Sequence, residues 1–195
     1  MLGKQPAGHG HLRANGAEES APWLDALIYA EAGPDIPETI RVESVAFEDG
    51  EAIPPLFTAL GEGESPPLRW RGVPDGAASI VLVVEDADSE TPEPFLHAIA
   101  VKTPGMDDDL IPGALCPENA FTEGLLLGVN SRGASSWTPP DPPPGRSPHR
   151  YVFQIYAVDR RPDFDAPPGR AEIIRFLQSR AIAKGRLTGI FERSA

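Results

Sequence analysis

Apolar residues along this chain recur at two different spacings. Residues 21–32, APWLDALIYAEA, place Trp23, Leu24, Leu27 and Ile28 at three- and four-residue steps. That spacing predicts a short amphipathic helix, with Ser20 as its N-cap and Gly33-Pro34 as its stop. From Glu38 the texture becomes that of strands. The runs 40–47, 79–84, 95–103, 125–130 and 151–158 are rich in Val, Ile and aromatic residues, and Gly, Pro, Asp or Asn bounds each. Residues 79–84, SIVLVV, form an almost unbroken apolar run. Helical spacing returns over 171–184, where Ile173, Ile174, Leu177 and Ala181 share a stripe and Gly185 stands as the stop. Residues 187–191 read as a last short strand. The pattern predicts a mainly β domain over 36–195, preceded by an arm, 1–35, whose helix packs on its own domain or on a partner subunit.

Composition sharpens this picture. Proline makes up 23 of 195 residues, roughly twice the usual ~5%. The densest cluster is WTPPDPPPGRSP, residues 137–148, a stiff extended loop. The formal charge is −12, divided as −3 over 1–35, −13 over 36–169 and +4 over 170–195. A body this acidic argues against nucleic acid and anionic membranes as partners. One cysteine, Cys116, offers no internal disulfide and no paired-cysteine metal or redox motif. No run reaches the length of a membrane span or, near the start, of a signal peptide, so the expected location is cytoplasmic.

Four histidines bound the candidate chemistry. His9 and His11 fall in the polar start of the arm, where a solvated role is expected. His97 lies inside the apolar segment FLHAIAV, and His149 opens HRYVFQIY directly after the proline loop. Asp86 and Asp88 follow SIVLVV at i and i+2, as do His149 and Tyr151 in their segment. In extended chain each pair shares a face. Together these residues could hold a metal, serve acid–base chemistry, or bind an anion whose oxygens the imidazoles and tyrosine contact while aspartates orient the rings. No nucleophile-elbow, zincin or phosphate-loop motif is present, and no cofactor or metal is expected.

The stretches ESPPLRWRGVPDGAASIVLVVEDAD, FLHAIAV and WTPPDPPPGRSPHRYVFQIYAVD, with KGRLTGIFER near the end, together resemble the phosphatidylethanolamine-binding protein family, in particular its bacterial Raf-kinase-inhibitor-like branch. The resemblance spans about residues 40–193. It implies two antiparallel sheets in a sandwich-like fold with a C-terminal helical segment. It also implies a pocket for a small anion or phosphorylated head group of the phosphoethanolamine type, and modulation of a partner protein such as a kinase. Carried over by position, the pocket residues are Asp86, Asp88, His97, Pro139, Pro143, Gly145, His149 and Tyr151. The family's DPDAP motif reads DADSE here: Ala87 and Glu90 stand where prolines are usual. Binding is favoured over turnover; a hydrolase using the same His and Asp residues is the alternative. A homodimer built through the arm is a further expectation.

Overall fold

The computed structural model describes residues 22–195; His9, His11 and Ser20 lie outside the described residues. Its centre is a five-stranded antiparallel sheet in the order β6-β4-β3-β7-β8. The strands are β3 (Ser79–Asp86), β4 (Phe95–Lys102), β6 (Leu125–Leu127), β7 (His149–Val158) and β8 (Ala181–Phe191). A smaller antiparallel sheet, β1-β2-β5, packs against one face; its strands are β1 (Arg41–Glu43), β2 (Leu68–Arg71) and β5 (Asp108–Leu110). The architecture is thus mainly β with two antiparallel sheets. Among the described residues three α-helices complete it: α1 (Ile28–Glu31), α2 (Pro117–Thr122) and α3 (Arg170–Arg180). Among the described residues no helix is long and apolar enough to cross a membrane.

The unbroken apolar run of β3 has a direct cause. Both faces of the large sheet are covered. Ile80, Leu82 and Val84 point into the core shared with Val42, Leu68 and Trp70 of the small sheet. Val81 and Val83 point the other way, into a second core with Leu27, Ile28, Tyr29 and Ala32 of the N-terminal segment and Ile173 and Leu177 of α3. A strand buried on both sides loses the alternation that a half-solvated strand shows. Leu27 and Ile28 are therefore buried within the chain's own core.

Several boundaries differ from those the periodicity predicts. The helix expected over 21–32 is broken into a 3-10 turn, Pro22–Leu24, and the single turn of α1. The strands expected over 40–47 and 125–130 shrink to three residues each. The largest correction lies at the end. The helix predicted to run to Lys184 stops at Arg180, and Ala181–Phe191 is one eleven-residue strand. It pairs with β7 along its whole length, from Ala181 opposite Val158 to Phe191 opposite His149. Gly185 does not stop a helix. It sits inside β8 facing Ile40, whose carbonyl oxygen would lie 1.8 Å from a Cβ built there.

The outer edge of β8 is also occupied. Ile40 N–H donates to Lys184 O at 3.1 Å, and Lys184 N–H donates to Pro37 O at 2.8 Å. Further on, Gly50 N–H donates to Thr188 O, and Ile190 N–H to Glu51 O, each at 2.8 Å.

Candidate functional site

Asp86 is the last residue of β3 and His149 the first of β7, and the two strands run side by side with Asp86 opposite Tyr151. This register brings the Asp86 carboxylate to His149: Nδ1 stands 2.8 Å from Oδ2. Phe95 at the start of β4 is also opposite Asp86, which sets His97 two residues further along the neighbouring strand. The proline loop closes the end of the sheet over these groups. The result is a cavity of about 150 Å³, lined among others by Asp86, His97, Arg132, Pro139, Pro143 and His149. A much larger groove of about 740 Å³, between β6 and residues 160–168, lies elsewhere and contains neither histidine.

His97 is held by the backbone rather than by an aspartate. Its Nδ1 is 2.6 Å from the carbonyl oxygen of Thr138. A carbonyl oxygen only accepts, so Nδ1 carries the proton. The ring packs edge-on against Phe95 and Tyr151, with centroids 4.9 and 5.2 Å away. Its other nitrogen, Nε2, is buried and has no hydrogen-bond partner among the described residues. Burial pushes the imidazole pKa down from 6.5 to about 4, because a cation cannot be solvated there.

The two aspartates part company. Asp88 N–H donates to Asp86 Oδ1 at 2.9 Å, so the chain turns at once beyond β3. Asp88 then faces Arg150, accepting both its backbone N–H and its guanidinium. Burial acts to raise the Asp88 pKa, but the Arg150 hydrogen bonds and charge outweigh it and hold the carboxyl below its usual range. Burial dominates at Asp86 and raises its pKa against the pull of His149. The expectation that both aspartates orient imidazoles thus holds in geometry for Asp86 alone. Tyr151 lies fully buried beneath the two histidine rings, its centroid 6.5 Å from that of His149. Pro139 and Pro143 form wall, while Gly145 sits at a turn where its N–H donates to Arg193 O at 2.9 Å.

The rim explains how an acidic chain can present a site free of net repulsion. Glu90 and Asp141 line the cavity, but Arg146 lies 3.6 Å from Glu90 and Arg193 lies 2.5 Å from Asp141. Arg132 also lines the cavity and makes no ion pair among the described residues. Its loop, NSRGAS, carries no motif that would mark it in the sequence; only the fold brings it to the histidines. Among the described residues no three His, Cys, Asp or Glu side chains converge as a metal site would require.

The buried histidine has a measurable consequence for stability. The unfolded chain accepts a proton on this ring near pH 6.5, whereas the native chain refuses it until about pH 4. Between those values the unfolded state binds more protons, so the native state gains stability as pH rises and loses it as pH falls. From pH 7 to pH 5 the loss expected from this one group is ~2 kcal/mol. Urea midpoints at the two pH values should fall less in His97→Gln than in the wild type; equal falls would refute the assignment.

Comparison with known proteins identifies the family and the fold. The family model for phosphatidylethanolamine-binding protein matches residues 43–192. A UPF0098 protein of Pyrococcus abyssi is 31% identical over 80% of this chain and 86% of its own length. One from Methanothermobacter thermautotrophicus is 28% identical over 79% of this chain and 99% of its own. Among solved structures, YbcL of E. coli, described as a new member of the mammalian PEBP family, superposes with a TM-score of 0.72 at 26% identity, covering 79% of this chain and 98% of that one. The phosphatidylethanolamine-binding protein homolog CT736 from Chlamydia trachomatis gives 0.69 at 28% identity, covering 80% and 99%. A family match across most of the described chain, with the same two-sheet fold, means that this chain belongs to the phosphatidylethanolamine-binding protein family.

Proposed function

We propose that the cavity binds a small oxyanion, a phosphate or phosphorylated head group of the phosphoethanolamine type, without turning it over. The observation that carries this reading is the pairing of the charges. Each carboxylate around the site is held by a nitrogen of its own partner, Asp86 by His149 and the others by arginines, which leaves the Arg132 guanidinium at the rim with no carboxylate partner among the described residues. A volume of about 150 Å³ suits one compact group, well below the ~300–1,000 Å³ of sites for larger ligands.

Catalysis is the less favoured reading. The hydroxyl of Ser89, which lines the cavity, lies near Asp86 O and Thr91 Oγ1 and accepts from Phe95 N–H, rather than lying against an imidazole. A phosphorylated side chain on a partner presents the same chemistry as a head group, and this is the route by which the chain would modulate a protein such as a kinase.

Calorimetric titration with methyl phosphate and phosphoethanolamine tests the reading. Binding should strengthen as pH falls, and both Arg132→Ala and His149→Ala should weaken it by about tenfold or more. Arg161→Ala, in the separate groove, should leave it unchanged. No heat at any pH, or wild-type affinity in both cavity variants, would sink the reading. Release of inorganic phosphate by the wild type, lost in His97→Ala, would favour the hydrolase instead.

A further inference from the structure

The cavity contains an unusual combination for an anion site. His97 Nδ1 is committed as a donor to Thr138 O, 2.6 Å away. The neutral ring therefore has a lone pair on Nε2, and that atom is buried with nothing to accept from among the described residues. An acceptor of this kind repels the oxygens of a fully deprotonated oxyanion. A buried acceptor left unmatched also carries the full cost of its desolvation.

The surroundings do not reverse this. The titratable and charged groups around His97 are Asp86 from β3, Glu90 from the turn after it, Arg132 and Asp141 from the two loops, His149 from β7, and Tyr151 beneath. Glu90 and Asp141 have arginine partners and Asp86 has His149. Of these groups only Arg132 offers positive charge unshared with a carboxylate of the described residues, and it half-compensates a dianion at best.

We propose that the cavity selects an oxyanion that brings a proton with it: a phosphate-monoester monoanion whose P–O–H donates to His97 Nε2 while Arg132 takes its other oxygens. This rests on the reading that the cavity binds an oxyanion at all, and it specifies which protonation state is bound. When the ligand in solution is the dianion, the complex must take up one proton from water. That proton lies in the hydrogen bond between the ligand oxygen and His97 Nε2, so it is shared by atoms that both lacked it before. In the monoanion the same proton arrives on the ligand, and none is taken up.

Methyl phosphate and methyl sulfate separate this proposal from simple anion binding. At pH 5.5 both are mostly monoanions of nearly the same shape, and they differ by one proton, because the second pKa of a phosphate monoester lies at ~6. Methyl sulfate should bind the wild type at least about tenfold more weakly. Titrating methyl phosphate at pH 8 in two buffers of unlike ionisation enthalpy should show uptake of about one proton per site, falling toward zero at pH 5.5. His97→Gln, which offers an amide N–H at the same place, should bind the two ligands alike and take up no proton.

Equal binding of the two esters to the wild type, or no uptake at pH 8, overturns the proposal and leaves the anion reading standing. Failure of both esters to bind overturns both readings. Uptake and discrimination that survive in His97→Gln would move the proton to the His149–Asp86 pair and refute the role of His97. If the glutamine variant does not fold, the wild-type comparison of esters and buffers still decides.

Discussion

Replacing Glu85 by alanine is expected to lower the free energy of unfolding by about 3–5 kcal/mol, the usual consequence of removing one member of a buried ion pair. Glu85 is wholly buried, on the face of β3 opposite the cavity, and it organises the groups around it. Its Oε2 accepts the Ile28 N–H at 2.8 Å and the Gln154 amide at 2.7 Å; its Oε1 receives the Arg170 guanidinium. Gln154 in turn accepts the Tyr156 hydroxyl at 2.6 Å. One carboxylate thus ties the N-terminal segment, α3 and β7 to β3. Alanine would strand the Ile28 N–H, the Gln154 amide and much of the Arg170 charge, with Glu31 at 2.5 Å as its main remaining partner. Burial raises the Glu85 pKa and Arg170 opposes that rise, so the carboxylate depends on the arginine. Urea denaturation should show the loss as a lower midpoint, and amide exchange at Ile28 should quicken. Glu85→Gln keeps the shape and one acceptor and should lose less. An alanine variant within about 1 kcal/mol of the wild type would show that the Arg170 charge and the Ile28 and Gln154 donors find other partners at little cost, and would overturn this expectation.

Gly185→Ala should destabilise the fold by ~3 kcal/mol or more through overpacking. A Cβ there would meet the Ile40 carbonyl oxygen at 1.8 Å and its carbon at 2.7 Å. These are backbone atoms, and Ile40 is itself bonded to β8 through Lys184 O. Neither partner can swing away as a long side chain would. Relief requires the segment 37–40 to separate from β8, which breaks the Ile40 and Lys184 hydrogen bonds and opens the core around Ile40 and Val42. A comparison with Gly50→Ala is informative, because open space surrounds a Cβ at that position. Gly50 has φ of 80°, so alanine there carries backbone strain without a clash. If Gly185→Ala costs no more than Gly50→Ala, the close approach at Ile40 is not what demands glycine.

The same glycine shows where sequence reading reached its limit. In AEIIRFLQSRAIAKG the apolar positions keep a helical spacing into residues that are strand, and glycine after such a run is an ordinary helix stop. Only the long pairing partner β7 decides against it, and tertiary pairing is invisible to a window of neighbours. Two strands of the small sheet, β2 and β5, were hidden for a related reason: they are four and three residues long, too short for a period to register. The large sheet was legible because β3, β4 and β7 carry continuous apolar runs.

The candidate site divides in the same way. Asp86, His97 and His149 stood out as polar residues beside or within apolar strands, and the structure brings those three together. Asp88 carried the same i, i+2 signal as Asp86, yet a turn immediately beyond β3 redirects it to Arg150. Arg132 carried no signal, since its place depends on a loop returning across the sheet end. The protonated nitrogen of His97 was not legible either, because it depends on the carbonyl of Thr138, 41 residues away.

The covered flank of β8 has a consequence for how copies of this chain can meet. An eleven-residue strand at the border of a sheet would ordinarily be a template for adding a strand from another molecule, the first step of many aggregates. Here residues 37–40 and 50–53 already occupy its outward N–H and C=O groups at both ends, and the opposite border, β6, is only three residues long. Neither flank offers a long run of unpaired backbone. Strand addition at the flanks of the large sheet is therefore blocked among the described residues, and contacts made there between copies have to go through side chains, where specificity can be encoded residue by residue.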